Sequence, residues 1–157
     1  MIEWSGSTIM NGLLGYLKKK LGREVDETQV RMMSPLVLAY IGDTVYDLFV
    51  RTYLLILYNV PVHQLHVKAI DFVKAKAQAD TLHRIEEFLT PEEQDVVRRG
   101  RNAKPGSVPK NADIMEYRWA TGFESLFGYL YLLDKNERLF EILDYILDSA
   151  KGEKVNG

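Results

Sequence analysis

The chain contains no cysteine. That excludes disulfides, thiolate nucleophiles and cysteine-ligated zinc, and it suits a protein kept in a reducing cytoplasm. Histidine is almost as scarce. His63, His66 and His83 fall at no metal-ligand spacing, so they read as surface or packing residues. Five prolines are spread over 157 residues, which leaves room for long uninterrupted helices. No run alternates at period two, and no Asn-Gly or Asp-Gly pair joins two apolar runs as a hairpin would. The start, Met1–Thr8, lacks the basic and apolar regions of a secretory signal. An excess of positive charge is missing too. The net charge of −2 is not that of a typical nucleic-acid binder, so any such role requires local clustering of cations.

What is present is enough for one well-packed domain. Hydrophobic residues make up 46% and charged residues 27%, too apolar for a disordered chain and ordinary for a globular one. Apolar residues recur at helical spacing almost throughout. A helix over Met10–Lys20 ends on three lysines before Gly22. Ser34-Pro35 supplies a capping hydroxyl and an N1 proline for a helix running to Leu57, which Asn59-Val60-Pro61 closes. A further helix is predicted over Gln64–Phe88, and Thr90-Pro91-Glu92-Glu93 opens another. A loop over Gly100–Asn111, a long helix Ile114–Leu133 and a last helix Asn136–Lys151 complete an all-α reading. The divisions expected are an N-terminal extension and first helix (1–33), a main body (34–150) and a tail (151–157).

The Pro35–Leu57 helix approaches the length of a membrane span, yet its charges, Asp43, Asp47 and Arg51, stand at i, i+4 and i+8 on one face. Such a stripe fits a helix packed in protein, not one in lipid. Asp43 lies within Leu38-Ala39-Tyr40-Ile41-Gly42-Asp43-Thr44-Val45-Tyr46. It reads either as a buried acid paired with Arg51 or Arg118 or as a catalytic group. Gly42 beside it costs about 1 kcal/mol in a helix and so marks a close approach. Glu124 repeats the pattern, a single carboxylate among apolar residues and glycines in Gly122-Phe123-Glu124-Ser125-Leu126-Phe127-Gly128. Two such helices packed through their glycines would bring Asp43 and Glu124 together. Oxygen donors of that kind suit Mg²⁺ or Mn²⁺, although a solvated face would accommodate Glu124 equally well.

The third feature is basic. Between Arg98 and Lys110 stand Arg98, Arg99, Arg101, Lys104 and Lys110 with no acid, while Asn102 and Ser107 add neutral donors. A segment like this contacts phosphates without reading bases. The bland alternative is a solvated surface.

These residues together resemble the ribonuclease III family. Ala39-Tyr40-Ile41-Gly42-Asp43-Thr44-Val45 is similar to its signature helix, and Phe123-Glu124-Ser125-Leu126-Phe127-Gly128 to its second acidic motif. The basic segment, with Tyr117-Arg118, looks like the Mini-ribonuclease III branch, which lacks the appended double-stranded-RNA-binding domain. The chain ends at Gly157 without room for one. The resemblance covers roughly residues 34–150 and implies a dimeric, all-helical endoribonuclease domain. It implies Mg²⁺-dependent cleavage of double-stranded RNA to 5′-phosphate products, with Mn²⁺ as a substitute metal. It also implies maturation of the 23S ribosomal RNA precursor in the cytoplasm, with no membrane or DNA partner. By position, Asp43 and Glu124 take the catalytic and metal-binding roles. Arg98, Arg99, Arg101, Asn102, Lys104 and Lys110 take RNA, and Asp47, Thr121 and Arg118 stand as supporting residues. Ala39 and Thr121 occupy positions where the wider family has acids. That departure motivates a rival from another class, a non-catalytic double-stranded-RNA-binding or ribosome-assembly module on the same fold. A nucleotide phosphohydrolase is disfavoured by the lack of a His-Asp cluster, and a helical adaptor explains neither carboxylate.

Overall fold

The computed structural model describes residues 9–155, with side chains over 12–152. Among the described residues there are eight α-helices, one 3₁₀ turn and no strand. They are α1 (Ile9–Leu21), α2 (Glu27–Met32), α3 (Pro35–Leu57), α4 (Val62–Val73), α5 (Ala75–Ile85), α6 (Pro91–Asn102), α7 (Ile114–Leu132) and α8 (Asn136–Val155), with the 3₁₀ turn at Glu86–Phe88. None of the described helices is long and apolar enough to cross a membrane. The order of Met1–Thr8 lies outside the described residues.

The helix starts follow local chemistry. Ser34 caps α3 by accepting from the Leu36 amide, with Pro35 inside the first turn. Thr90 and Glu93 form a reciprocal capping box at α6, and Asp113 caps α7. Helix α2 is an element the periodicity did not announce. Its six residues are too few to show a period, but Asp26 and Gln29 form a capping box and Val30 is fully buried. Gly22 ends α1 at φ +61°, a conformation that glycine adopts without steric cost.

Two boundaries differ from expectation. The single helix over Gln64–Phe88 is broken at Lys74, whose extended backbone caps both α4 and α5, and it ends in the 3₁₀ turn. Nothing local marks the break, since Val73 and Ala77 keep helical spacing across it. Tertiary packing decides it, because the turn lays α5 along α7 and buries Gln78, Ala79, Thr81, Leu82 and Ile85. The second difference is the basic segment. Helix α6 runs on to Asn102, so Arg98, Arg99, Arg101 and Asn102 are helical and only Ala103–Asp113 connects to α7. Helix α8 likewise continues past Lys151 to Val155.

Helix α7 is the axis of the molecule, buried on nearly every side from Ala120 to Tyr131. Helices α3, α5 and α6 pack around it, and α8 closes the core against α5 and α7. Tyr46, Phe123 and Phe127 form the central aromatic cluster, with the Tyr46 and Phe123 rings 4.8 Å apart at 90°. Beside it the α3 and α7 backbones touch. A Cβ on Gly42 would lie 1.7 Å from the Glu124 carbonyl oxygen, and one on Gly128 would lie 1.9 Å from that of Leu38. No side chain fits at either position. Ser125 Oγ fastens the same crossing by donating to the carbonyls of Pro35 (2.9 Å) and Thr121 (2.8 Å).

Forcing the crossing apart should therefore be costly. Gly42→Ala is expected to lose about 3 kcal/mol of stability, against less than about 0.5 kcal/mol for Gly106→Ala, where the space is open. Urea unfolding of the two variants measures this, and equal stability would contradict the crossing.

Candidate active site

The glycine crossing sets the two carboxylates. Asp43 follows Gly42 on α3, and Glu124 is the α7 residue whose carbonyl faces Gly42. Glu124 senses the charge of Asp43. Burial, then the negative charge of Asp43, pushes Glu124 up to about 8. A hydrogen bond from the Gln78 amide pulls it partly back. Asp43 is raised too, by partial burial and then by Asp47. No cation is among the influences on either acid.

The bland reading of Asp43 is not what forms. It is exposed on the surface of the chain and pairs with neither Arg51 nor Arg118. Arg51 is taken instead by Asp47, Nε to Oδ2 at 2.9 Å along the same helix. Asp47 thus acts on the site through its charge, as the residue that raises Asp43. Arg118 is half-buried and its Nε has no hydrogen-bond partner among the described residues. The Thr121 hydroxyl donates to the carbonyl of Tyr117 at 2.9 Å, so its proton is spent on its own helix. Ala39 is buried.

The cations divide into two groups. Arg98 and Arg99 both pair with Asp95 one turn earlier, and Arg99 also donates to the Arg31 carbonyl at 2.9 Å. Arg101 lies over the Trp119 ring, 4.8 Å from its centroid, with His83 against the same ring. Asn102, Lys104 and Lys110 are exposed. The expectation of one uniform basic loop is therefore corrected. Its helical arginines are engaged with the protein, and the lysines project from the irregular connection.

One site residue escaped the sequence reading. Gln78, on α5, is 1% exposed and reaches Glu124. Its neighbours Ala77, Ala79 and Asp80 give no hint, and glutamine is ordinarily a surface residue. Only the unannounced break at Lys74 turns it inward.

Two adjacent acids held close without a compensating cation fit a hard divalent ion. Mg²⁺ is usually bound by one or two carboxylates, with water and substrate phosphate completing its shell. Among the described residues no third His, Cys, Asp or Glu joins them in a group that could hold a metal ion.

Comparison with known proteins gives the same outline. A ribonuclease III domain model matches residues 36–135. A Mini-ribonuclease 3 of Thermoanaerobacter sp. (strain X514) is 52% identical over 115 residues, 73% of this chain and 81% of that protein. Those of Clostridium tetani and Brevibacillus brevis are 48% and 47% identical, over 87% of this chain and 91% and 98% of theirs. A crystal structure of a Fusobacterium nucleatum protein superposes with a TM-score of 0.68 at 32% identity, covering 79% of this chain and 97% of that one. The matched span takes in both acids, the crossing that joins them and the α6 cations, and the chain belongs to the ribonuclease III family, on its Mini-ribonuclease 3 branch.

Proposed function

We propose that this protein is a divalent-metal-dependent endoribonuclease that cleaves double-stranded RNA, with Asp43 and Glu124 as its metal-binding and catalytic pair. The observation that carries the reading is the juxtaposition of two uncompensated carboxylates at a helix crossing that leaves no room for a side chain. Mg²⁺, or Mn²⁺ in its place, would supply an acidified water and neutralise charge at the scissile phosphate. The acids hold and orient; both are fixed by helices, which keeps their spacing independent of loop motion.

The duplex is held from the side. A-form RNA hides its bases in a deep, narrow groove, so recognition rests on phosphates and 2′-hydroxyls. Lys104 and Lys110 are placed to meet phosphates directly, whereas Arg101 must leave Trp119, and Arg98 and Arg99 must exchange Asp95 for RNA. A homodimer presents one site to each strand. An apolar face on α3 supports it, formed by Val37, Tyr40 and Leu48, with Tyr40 81% exposed in the single chain. The substrate we propose is the 23S ribosomal RNA precursor, cut in the cytoplasm to leave 5′-phosphate ends. Burial of Ala39 and the spent Thr121 hydroxyl favour the second reading, a non-catalytic module that binds duplex RNA without cutting.

Three measurements follow. A long double-stranded RNA should be cut by the wild-type protein with Mg²⁺ and left intact with EDTA. Asp43→Asn and Glu124→Gln should each lose at least about 10²-fold in rate, on the scale of losing one catalytic acid or base, while remaining folded. Retention of duplex binding without cutting under any metal would select the second reading.

Replacing Lys104 and Lys110 together by alanine should weaken duplex binding uniformly across sequences and reduce the salt slope by roughly 2. Arg98→Ala should do less, because Asp95 already competes for that charge. Filter binding at graded salt reads both.

The third concerns pH. Glu124 is raised above its unfolded value, so the metal-free fold binds a proton that the unfolded chain releases. Its stabilising effect is full below about 4.5 and is lost as pH rises towards about 8. Without metal, wild-type stability should fall across this window by up to a few kcal/mol more than that of Glu124→Gln. Saturating Mg²⁺ should recover the loss at pH 8. Thermal melts at pH 5 and pH 8, with and without metal, test the sign.

A further inference from the structure

We infer that the cavity between α3, α4, α5 and α8 is a nucleotide site, with the phosphate on Tyr46, Thr81 and Arg84 and the ring against Tyr53 and Phe72. The cavity measures about 540 Å³, within the roughly 300–1,000 Å³ of ligand pockets. Neither Asp43 nor Glu124 lines it, so the inference does not rest on the metal-site reading.

The floor of the cavity is polar. Tyr46 is 1% exposed and packs its ring on Phe123 and Phe127, yet its hydroxyl makes no hydrogen bond among the described residues. Burial raises the phenol above its usual range, against the pull of the Arg84 charge, so it keeps its proton and can only gain by donating it. Thr81 is also buried. Its Oγ1 accepts from Arg84 Nη2 at 3.5 Å, which leaves its own proton without an acceptor among the described residues. Arg84 supplies the charge, and its Nε donates to Ser149 Oγ at 3.2 Å, which braces the guanidinium between α5 and α8. Two hydroxyl donors grouped with a guanidinium suit a phosphate.

The walls suit a flat ring. Tyr53 of α3 and Phe72 of α4 make an aromatic corner, their centroids 6.1 Å apart and their planes at 65°. Bases stack on such rings whatever their sequence. The two lining acids are each paired with a lysine, Asp71 with Lys74 at 3.8 Å and Asp80 with Lys76 at 3.1 Å, so they do not leave the cavity acidic. A small carboxylate would use the floor and leave the walls idle, and an uncharged ring would leave both hydroxyls unpaired. A nucleotide uses both ends. It has two sources, a free nucleoside monophosphate or the unpaired 5′ end of an RNA strand.

The test is equilibrium dialysis of radiolabelled adenosine 5′-monophosphate against the full chain, in EDTA so that no ion occupies the carboxylates. The nucleotide should be retained, and inorganic phosphate should displace it at least about tenfold less well than unlabelled nucleotide, for want of a ring. Tyr46→Phe and Thr81→Val each remove one hydroxyl and keep the shape of the side chain. Each should weaken binding by at least about tenfold, the scale of a hydrogen bond to a charged group. No retention of the nucleotide at millimolar concentration would overturn the site, as would binding that both variants leave unchanged. Displacement by inorganic phosphate as strong as by nucleotide would overturn the assignment of the ring. A 5′-phosphorylated RNA trinucleotide separates the sources: displacement at least as strong as by the monophosphate identifies the RNA end, and weaker displacement the free nucleotide. Should Tyr46→Phe fail to fold, Thr81→Val decides under the same outcomes.

Discussion

Everything at the candidate site depends on backbone touching backbone where α3 crosses α7. The carbonyls of Glu124 and Leu38 occupy the spaces where Gly42 and Gly128 would carry Cβ atoms. This fixes the separation of the helices more tightly than interdigitated side chains do, because a carbonyl has no rotamers to change. The Tyr46–Phe123–Phe127 cluster packs beneath, and Ser125 ties the start of α3 to α7. Asp43 and Glu124 inherit their relation from this contact. Their spacing is a property of the core, so it survives fluctuations in the connecting loops.

The same chain treats two part-buried glutamates in opposite ways. Glu93 is buried, yet its acidity is strengthened. Burial alone would raise it, but Arg138 donates to both carboxylate oxygens at 2.9 and 2.8 Å, and Thr90 caps it through the backbone amide at 2.9 Å. That residue holds α6 to α8. Among the described residues Glu124 senses a neutral amide and another acid, and burial with that acid's charge pushes it up to about 8. A fold able to satisfy Glu93 so fully could have satisfied Glu124 with one more arginine. Leaving it unsatisfied costs stability, and the cost is recovered when a cation enters.

Much of this was legible in the sequence, for identifiable reasons. Ser34-Pro35 and Thr90-Pro91 announced their helices because capping is local chemistry. Gly42-Asp43 and Glu124 announced a crossing because glycine inside an apolar helix has few other uses. The break at Lys74 was not legible, since no proline, glycine or change of period accompanies it. Its cause lies in α7, forty residues or more along the chain. Gln78 was hidden with it. The arginines were misplaced for a different reason. Arg98 and Arg99 look free in a run without acids, but the turn of α6 brings Asp95 under both, one turn before the run begins.

That pairing bears on how the protein holds RNA. A cation already satisfied by Asp95 contributes to binding only the difference between phosphate and carboxylate, whereas a solvated lysine displaces a condensed counterion from the phosphate it meets without first giving up a carboxylate. On the proposed function, recognition would thereby shift from the helical arginines to Lys104 and Lys110 on the irregular Ala103–Asp113 connection. Under that function, rigid chemistry and compliant binding are thus carried by different parts of the fold. The acids sit where two backbones lock, and the lysines sit where the backbone is irregular and can adapt to a duplex. Arg101 stands between these extremes. It is stored on Trp119, five residues before Glu124 on the same helix, so a phosphate that draws it away alters the packing of α7 itself. On the proposed function, binding of the duplex and the setting of Glu124 then share one helix.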